Sequence, residues 1–508
     1  MGKRTVNSIK NMASGIMLRF GTLSLNFLSR YVFIKFLGEE CLGLNGLFTT
    51  ILTLFSLADL GIGDAITYYM YKPISERNEE KLRQLVSFYK VCYRIIGFAI
   101  LVMGIALIPI LPAVVNLEID IGYNIYLIYI LYLLNTVITY VFFSYSLTVL
   151  NANQQQYVVN NINTLFTVII FVGDFVTLFF THNYIVYLAV RLLLSIGQNG
   201  FVYLTARKKY KYITEKPLDK IEKNEIRTMF KDVYSIFVVK LSSRLIEATD
   251  NIFISVFLGT VKVGYNSNYL MFTNAAMSIV NTIVYSFGAG VGDLAVSGDK
   301  KALMSVFKKI DYINFCISFF CSVCLFSFLN PFITLLWGES FTFSTITVAF
   351  ISFNFFITTS LYTTFLFRQS LGLFQYYKYN MLFTAITNII LDFVLVRIMN
   401  VAGLYLATII SSLLFGVWPF IKNVFEKGFG INASTQIKKV IIRYVYIILV
   451  GVVITLLDQF FEVNVAGFIL RILVTLSIIA VAITITGVFD DQFRLTVGHV
   501  FRVMKGKK

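Results

Sequence analysis

Long apolar runs occupy most of this chain, and short polar segments separate them. A helix needs about 20 apolar residues to cross the core of a bilayer. Backbone polar groups in lipid must be satisfied within the segment, so each such run is expected to be helical. The pattern predicts fourteen transmembrane helices, at 11–37, 43–71, 84–112, 123–150, 156–181, 183–206, 232–258, 265–296, 304–336, 342–370, 376–399, 401–424, 438–460 and 464–487. The predicted fold class is therefore all-α and polytopic.

The composition agrees with this pattern. Hydrophobic residues make up 57% of the chain and charged residues only 14%, whereas soluble domains carry about 25% charged residues. Lipid is the solvent that accepts so much apolar surface. The five cysteines are scattered along the chain and predict no disulfide framework. We expect no cleavable signal peptide, because the first apolar run is too long and lacks a cleavage site of small residues.

Basic residues are concentrated in alternate connections between the predicted helices. The connections at 72–90 and 207–231 are rich in Lys and Arg, whereas the opposite connections carry acids such as Glu118 and Glu462. The positive-inside rule then predicts that both termini face the cytoplasm. The same asymmetry accounts for the net charge of +16, since basic loops face an anionic leaflet. A nucleic-acid partner is not expected.

An internal repeat divides the chain into two similar halves. The string F-L-G-x-x-x-x-G-x-N occurs at 36–45 and again at 257–266, and at the same offset of 221 residues Arg19 corresponds to Lys240. Six predicted helices per repeat is an even number, so the halves are related by a pseudo-twofold axis along the membrane normal. The predicted organisation is a bundle at 1–206, a basic linker at 207–231, a bundle at 232–424, two additional helices at 438–487 and a basic tail at 488–508.

A second pair of matching strings ends in an acid. Gly-x-Gly-Asp occurs at 61–64 and at 290–293, which places Asp64 and Asp293 near the predicted cytoplasmic ends of helices two and eight. These acids are candidates for a cytoplasmic gate with partners in the basic loops. The alternative is helix capping or an ordinary salt bridge.

Ionisable residues at membrane depth are costly and usually face protein or water. The first predicted helix carries Arg19 and Arg30, and the seventh carries Lys240, Arg244, Glu247 and Asp250. The four cations predict a positively charged cavity between the bundles, and guanidinium groups bind phosphate oxygens in bidentate fashion. Two alternatives remain open: the cations pair with acids such as Asp174 and Asp392 for structure, or the two acids of helix seven bind a coupling proton or sodium ion.

Neither a catalytic constellation nor a metal cluster can be argued from the sequence. The only histidines, His182 and His499, lie far apart in the predicted topology. No Walker motif occurs, so ATP hydrolysis is not expected. The sequence predicts a protein that is not an enzyme and has no cofactor, and its energy would come from an ion gradient, the membrane potential or consumption of product.

These motifs resemble those of a known family. The junction at 36–43, the string Leu-Ala-Asp-Leu-Gly-Ile-Gly-Asp at 57–64 and the echo at 257–293 are similar to the Wzx-type flippases. These form the polysaccharide transporter branch of the multidrug/oligosaccharidyl-lipid/polysaccharide (MOP) exporter superfamily. The resemblance implies an alternating-access carrier in the bacterial cytoplasmic membrane, with basic residues on helices one and seven, where Arg19, Arg30, Lys240 and Arg244 occur.

The resemblance also implies a substrate and partners. The substrate would be an undecaprenyl-diphosphate-linked repeat unit for capsule, O-antigen or a related glycan, and membrane lipids, a glycan polymerase and chain-length machinery are candidate partners. Three other functions remain open. They are a cation-coupled drug or metabolite antiporter of the same superfamily, a peptidoglycan-precursor flippase, and a membrane glycan polymerase, for which the predicted outer loops are short.

Overall fold

The structure is a computed structural model of the 508-residue chain. It describes residues 3–55, 69–70, 73–74, 76–115, 121–153, 155–219, 221–288, 291, 294–295, 299–373, 378–458, 460–461 and 464–489. The long helices within these ranges are α1 (Lys3–Phe55), α2 (Glu79–Leu107), α3 (Ile125–Ile138), α4 (Gln156–Thr181), α5 (Tyr184–Lys209), α6 (Lys223–Leu258), α7 (Thr260–Tyr285), α8 (Lys300–Trp337), α9 (Thr345–Ser360), α10 (Lys378–Met399), α11 (Val401–Ser411), α12 (Ser434–Asp458) and α13 (Val465–Phe489).

The all-α membrane fold is confirmed. Ten helices among the described residues are long and apolar enough to cross a membrane, and no β-strand occurs in the same ranges. Helix α1 covers the first predicted helix and the start of the second, which meet at a kink where Gly38 has φ 81° and ψ −175°. Helices α2 to α13 correspond in order to the remaining predicted helices.

Several membrane helices change their winding partway along. Helix α2 passes through a 3₁₀ turn into Leu111–Val114, and α9 is followed by Tyr362–Ser370. Helices α3 and α11 pass through π turns, at Thr139–Phe143 and Ser412–Val417. Such turns are frequent at functional sites, because they leave backbone groups free of the regular hydrogen-bonding ladder.

Side-chain caps mark where helices begin at the ends of polar connections. Asn78, Asn124, Asn183 and Asp299 each precede a helix, and each side chain accepts a hydrogen bond from a backbone N–H of the first turn. These donors have no partner within the helix, so a side-chain oxygen stabilises the terminus. The caps therefore fix the starts of α2, α3, α5 and α8.

The chain forms two compact units, Met1–Gly264 and Tyr265–Lys508. The first unit contains α6, which the repeat assigns to the second predicted bundle. The division into bundles by the repeat stays a prediction.

An apolar core in the first unit is formed around the first half of α2, the helix Ser144–Ala152 that follows α3, and the end of α5. Tyr89 lies at its centre, 1% exposed, and donates a hydrogen bond of 2.7 Å to the hydroxyl of Tyr93. A second bond of 2.8 Å joins Tyr89 to Thr148. The hydroxyl of Tyr89 therefore has hydrogen-bond partners inside the apolar core.

Helix α8 is the central helix of the second unit. Its Asn314 side chain donates to the carbonyl oxygens of Thr359 and Ser360, at 3.0 and 3.1 Å. These carbonyls lie where α9 ends, so Asn314 satisfies backbone groups that the helix break leaves open. The break in this membrane helix is therefore supported from a neighbouring helix.

Helices α12 and α13, which lie outside the repeat, are attached to α8 by a buried ion pair and a buried hydrogen bond. Arg443 of α12 lies 2.9 Å from Asp311 of α8. Arg471 of α13 lies 3.0 Å from Asp458 and donates to the carbonyl of Ser327 on α8 at 3.1 Å. Charges at this depth need such partners, so these contacts specify where the two helices dock.

Candidate functional site

The predicted cationic positions lie on α1 and α6. Arg19 and Arg30 lie in the part of α1 before the kink at Gly38, and Lys240 and Arg244 lie in α6. The side chains of Arg19, Lys240 and Arg244 lie outside the described residues. Only Arg30 can be placed in atomic detail, and the cationic cavity stays a prediction.

Arg30 is partly buried among the polar side chains of other membrane helices. Its electrostatic neighbours are the hydroxyls of Tyr132 and Tyr187 and the guanidinium of Arg191. Helices α1, α3 and α5 therefore bring two arginines close together. Like charges repel, so the arrangement requires a counter-charge or a bound anion.

The counter-charge is Asp174 of α4, which is 2% exposed. Its Oδ2 accepts a hydrogen bond of 3.2 Å from Ser29 and lies 4.0 Å from Arg191 Nη1. The same guanidinium also donates to the hydroxyl of Tyr187. We call Ser29, Arg30, Asp174, Tyr187 and Arg191 the arginine cluster. It holds two positive charges and one negative charge, so its net charge is positive.

Aromatic side chains fix the position of the arginine cluster. Phe33 packs edge-on against Tyr184 and Tyr187, with ring centroids 5.6 and 5.4 Å apart. Tyr184 in turn shares a hydrogen bond of 3.2 Å with Tyr132. The Arg191 side chain remains 44% exposed. A partly exposed guanidinium at membrane depth is expected to face water or protein, where it can bind an oxyanion.

The second unit contains a different polar cluster, formed by Asn388, Asp392 and Thr408. All three residues are buried, with Asn388 and Asp392 at 0% exposure. The Asn388 amide donates to Asp392 Oδ1 at 3.3 Å and to Thr408 Oγ1 at 3.2 Å. Asn388 Oδ1 is buried and accepts no hydrogen bond from the described part of the chain. Carboxylate, amide and hydroxyl oxygens together are suited to a proton or a small hard cation.

The two clusters occupy corresponding places in the repeat, which sequence reasoning missed. Three pairs share an offset of 218 residues: Asp174 with Asp392, His182 with Asn400, and Tyr187 with Tyr405. His182 and Asn400 both have positive φ, at 51° and 53°, and each lies between two helices of its unit. This offset can be read from the sequence alone, so it was the signal that could have revealed the correspondence between Asp174 and Asp392. It extends the duplication beyond the strings at 36–45 and 257–266.

The remaining predicted site residues are only partly described. Glu247 and Asp250 lie in α6, where Asp250 is partly buried and the side chain of Glu247 lies outside the described residues. Asp64 and Asp293 lie outside the described residues altogether. Their assignments to ion coupling and to a gate stay predictions. Within the residues that the structure describes, no group of three His, Cys, Asp or Glu side chains is placed to hold a metal.

The architecture defines a class of protein: a multi-pass membrane protein with the fold seen in structures of the MOP superfamily. A structure titled lipid II flippase MurJ, inward closed conformation, matches with a TM-score of 0.67 and 16% identity, covering 95% of this chain and 98% of that one. An inward-facing multidrug resistance MATE family transporter matches with a TM-score of 0.64 and 15% identity, covering 80% and 95%. A MOP superfamily transporter from Pyrococcus furiosus gives 0.59 and 14%, covering 85% and 98%.

A family model gives the more specific assignment. The model described as polysaccharide biosynthesis protein matches residues 8–287, which is more than half of the chain. The chain therefore belongs to the polysaccharide biosynthesis protein family. This confirms the resemblance identified in the sequence motifs. Among curated proteins, the comparison finds no match.

Proposed function

We propose that the protein is a flippase that carries a polyprenyl-diphosphate-linked oligosaccharide across the bacterial cytoplasmic membrane by alternating access. The observation that carries this proposal is the arginine cluster, which combines a positive net charge with a partly exposed guanidinium among membrane helices. A diphosphate linker cannot cross lipid unaided, because moving a charge into the bilayer core is costly. Arginines paired with phosphate oxygens lower that barrier.

Family membership supports the class of substrate. The matched family is named for polysaccharide biosynthesis, and one structural relative is titled a lipid II flippase. Both descriptions agree with a lipid-linked saccharide as the cargo. We propose an undecaprenyl-diphosphate-linked repeat unit of capsule, O-antigen or a related glycan, with a glycan polymerase and chain-length machinery acting on the product.

The polar cluster of the second unit supports a source of energy. We propose that a proton or sodium ion binds at Asp392, with Asn388 and Thr408 supplying further oxygens, and that this binding is coupled to transport. A buried carboxylate within a membrane helix is commonly part of an ion or proton path. The same cluster also favours the second candidate function, a cation-coupled drug or metabolite antiporter with the MATE-like fold.

Deleting the gene separates these functions. A flippase deletion is expected to accumulate lipid-linked oligosaccharide on the cytoplasmic side of the membrane, detected by lectin or enzymatic labelling of inside-out and right-side-out vesicles. An antiporter deletion would instead leave the oligosaccharide distribution unchanged and alter the accumulation of a cationic compound. A polymerase deletion would leave unpolymerised repeat units on the outer side.

The arginine cluster can be tested with matched substitutions. We expect Arg30→Ala and Arg191→Ala to lower surface glycan by about tenfold or more, because each loses a charge-assisted contact to phosphate. Arg191→Lys keeps the charge beside Asp174 but loses the planar fork, so it should be intermediate. Arg207→Ala, on the exposed last turn of α5, is the control and should export normally.

Normal export by both alanine variants, at wild-type amounts of inserted protein, would remove the arginine cluster from the mechanism. The same assay on Arg19→Ala and Lys240→Ala tests the predicted cavity separately. A loss of export in those variants alone would place phosphate recognition on the predicted residues instead.

A further inference from the structure

The duplicated string that begins with F-L-G adopts the same backbone conformation in both copies. Gly38 has φ 81° and ψ −175°, and Gly259 has φ 94° and ψ 150°. This region of backbone space is essentially restricted to glycine. Each glycine ends one membrane helix and allows the next to start at a sharp angle. The repeat therefore encodes a pair of matching helix junctions, both within the first unit.

The second glycines of the two strings bring these junctions into direct contact. A Cβ atom built on Gly43 would lie 2.2 Å from the carbonyl oxygen of Thr260, and one built on Gly264 would lie 2.9 Å from the backbone N of Gly43. Neither position has room for a side chain, since real Cβ contacts are longer than these distances. Backbone meets backbone, as in the close helix packing that small residues permit in membranes.

Two hydrogen bonds extend this contact along α6. Asn251 Nδ2 donates to Thr50 Oγ1 at 2.9 Å, and Ser255 Oγ donates to the carbonyl oxygen of Val114 at 2.6 Å. Asn251 is 6% exposed and Ser255 is fully buried. These bonds join α6 to the second half of α1 and to the short helix that follows α2. We call the Gly43–Gly264 contact and these two bonds the latch.

The latch explains why the contacts place α6 in the first unit, although the sequence repeat assigns this helix to the second predicted bundle. A helix of one bundle is fastened to the other bundle at symmetry-equivalent junctions. At the glycines the fastening is backbone against backbone, with the side chain of Leu42 beside Gly264, and the two hydrogen bonds extend it.

We infer that the latch is the outer gate of the carrier, which closes the passage on the extracytoplasmic side and opens when the transporter turns outward. This inference rests on the proposed alternating access and on the predicted orientation. Because the N-terminus is predicted to be cytoplasmic, the first membrane crossing ends at Gly38 on the outer side. Opening there must break the glycine contact and both hydrogen bonds together.

A reversible cross-link tests whether the latch must open. In a variant whose five native cysteines are replaced by serine, Thr50→Cys and Asn251→Cys place two thiols where the side chains now meet. We expect oxidation to cross-link the pair and to stop glycan export, and reduction to restore it. The inference would be overturned if the pair failed to cross-link, or if the cross-linked protein exported glycan as fast as the protein in which the disulfide has been reduced. Each single-cysteine variant under the same oxidation controls for damage by the oxidant.

A second measurement is independent of the substrate. Cys41 lies between the glycines of the first junction and is only 2% exposed, so it can be kept as the single cysteine. We expect Gly43→Ala to raise the rate at which an external, membrane-impermeant maleimide labels Cys41 by about tenfold, because the added methyl overlaps Thr260. The control Gly200→Ala has its nearest neighbour at 3.9 Å and should not change labelling.

The two measurements distinguish the latch from the proposed function. Unchanged Cys41 labelling in a correctly inserted Gly43→Ala protein would overturn the latch, whatever the cargo is. If Gly43→Ala fails to insert, the cross-link decides, since cross-linking of the cysteine pair can be scored on the purified chain. If deletion of the gene leaves the glycan untouched, the proposed cargo is wrong while maleimide labelling still reports on the latch.

Discussion

The Asp174 and Asp392 carboxylates occupy corresponding repeat positions but have different surroundings. Asp174 lies 4.0 Å from a guanidinium and accepts a bond from Ser29. Asp392 accepts a bond from the amide of Asn388, which also contacts Thr408. Asp174 thus lies beside a positive charge, whereas the described contact of Asp392 is with a neutral amide, and we propose that Asp392 is the carboxylate that exchanges a proton or sodium ion.

This contrast predicts which carboxylate responds to an ion gradient. Asp392→Asn should abolish the dependence of flipping on an imposed proton or sodium gradient, because the amide removes the negative charge and cannot be protonated. The measurement is flipping of a labelled lipid-linked saccharide in proteoliposomes with and without the gradient. Asp174→Asn is the matched variant at the repeat position, and it should keep the gradient dependence even if its basal rate falls. Equal loss of gradient dependence in both variants would contradict this assignment.

At the scale of helices, glycines decide how closely backbones approach. A Cβ built on Gly403 of α11 would lie 2.1 Å from the carbonyl oxygen of Leu395 on α10. Gly451 of α12 has nothing nearer than a ring carbon of Phe326 at 4.0 Å. Both glycines lie within helices, so alanine raises the helix propensity at both positions. Only at Gly403 does the added methyl also meet a neighbouring helix, so comparing the two variants isolates the effect of packing.

Gly403→Ala is therefore expected to destabilise the second unit, since the added methyl must push α10 and α11 apart. Overpacking of this kind costs about 1–3 kcal/mol, which should lower the midpoint of thermal unfolding in detergent. Gly451→Ala should leave that midpoint unchanged or raise it, because alanine is the better helix former by about 1 kcal/mol. A Gly403→Ala protein as stable as the wild type would show that the contact can relax without cost.

Apolar periodicity and length were sufficient to predict the helices, because a bilayer leaves a helix as the default structure for each long apolar run. They could not predict which helices pack together. Ser29 and Asp174 are 145 residues apart, and Asn251 and Thr50 are 201 apart, so neither contact leaves a local signal. Only the repeat carries such information, as the matching junctions at Gly38 and Gly259 show.

At the scale of the whole molecule, the repeat predicts the same helical plan for both halves, and we propose that the two units carry separate tasks. The first unit carries the arginine cluster, which suits an anion, and the second carries the Asp392 cluster, which suits a cation. The proposed coupling of an anionic cargo to a cation gradient would use both sites. Helices α12 and α13 lie outside the duplication and are fixed to α8 by the Asp311–Arg443 pair and the contacts of Arg471.

The basic loops predict the orientation of this molecule in the membrane, and two exposed positions test that prediction. Thr214 lies in the basic connection after α5, and Glu339 lies in the connection between α8 and α9. Basic segments are retained on the cytoplasmic side. In a cysteine-free protein in intact cells, a membrane-impermeant maleimide should therefore label Glu339→Cys directly and label Thr214→Cys only after permeabilisation. The reverse pattern would contradict the predicted orientation and would move the latch to the cytoplasmic face.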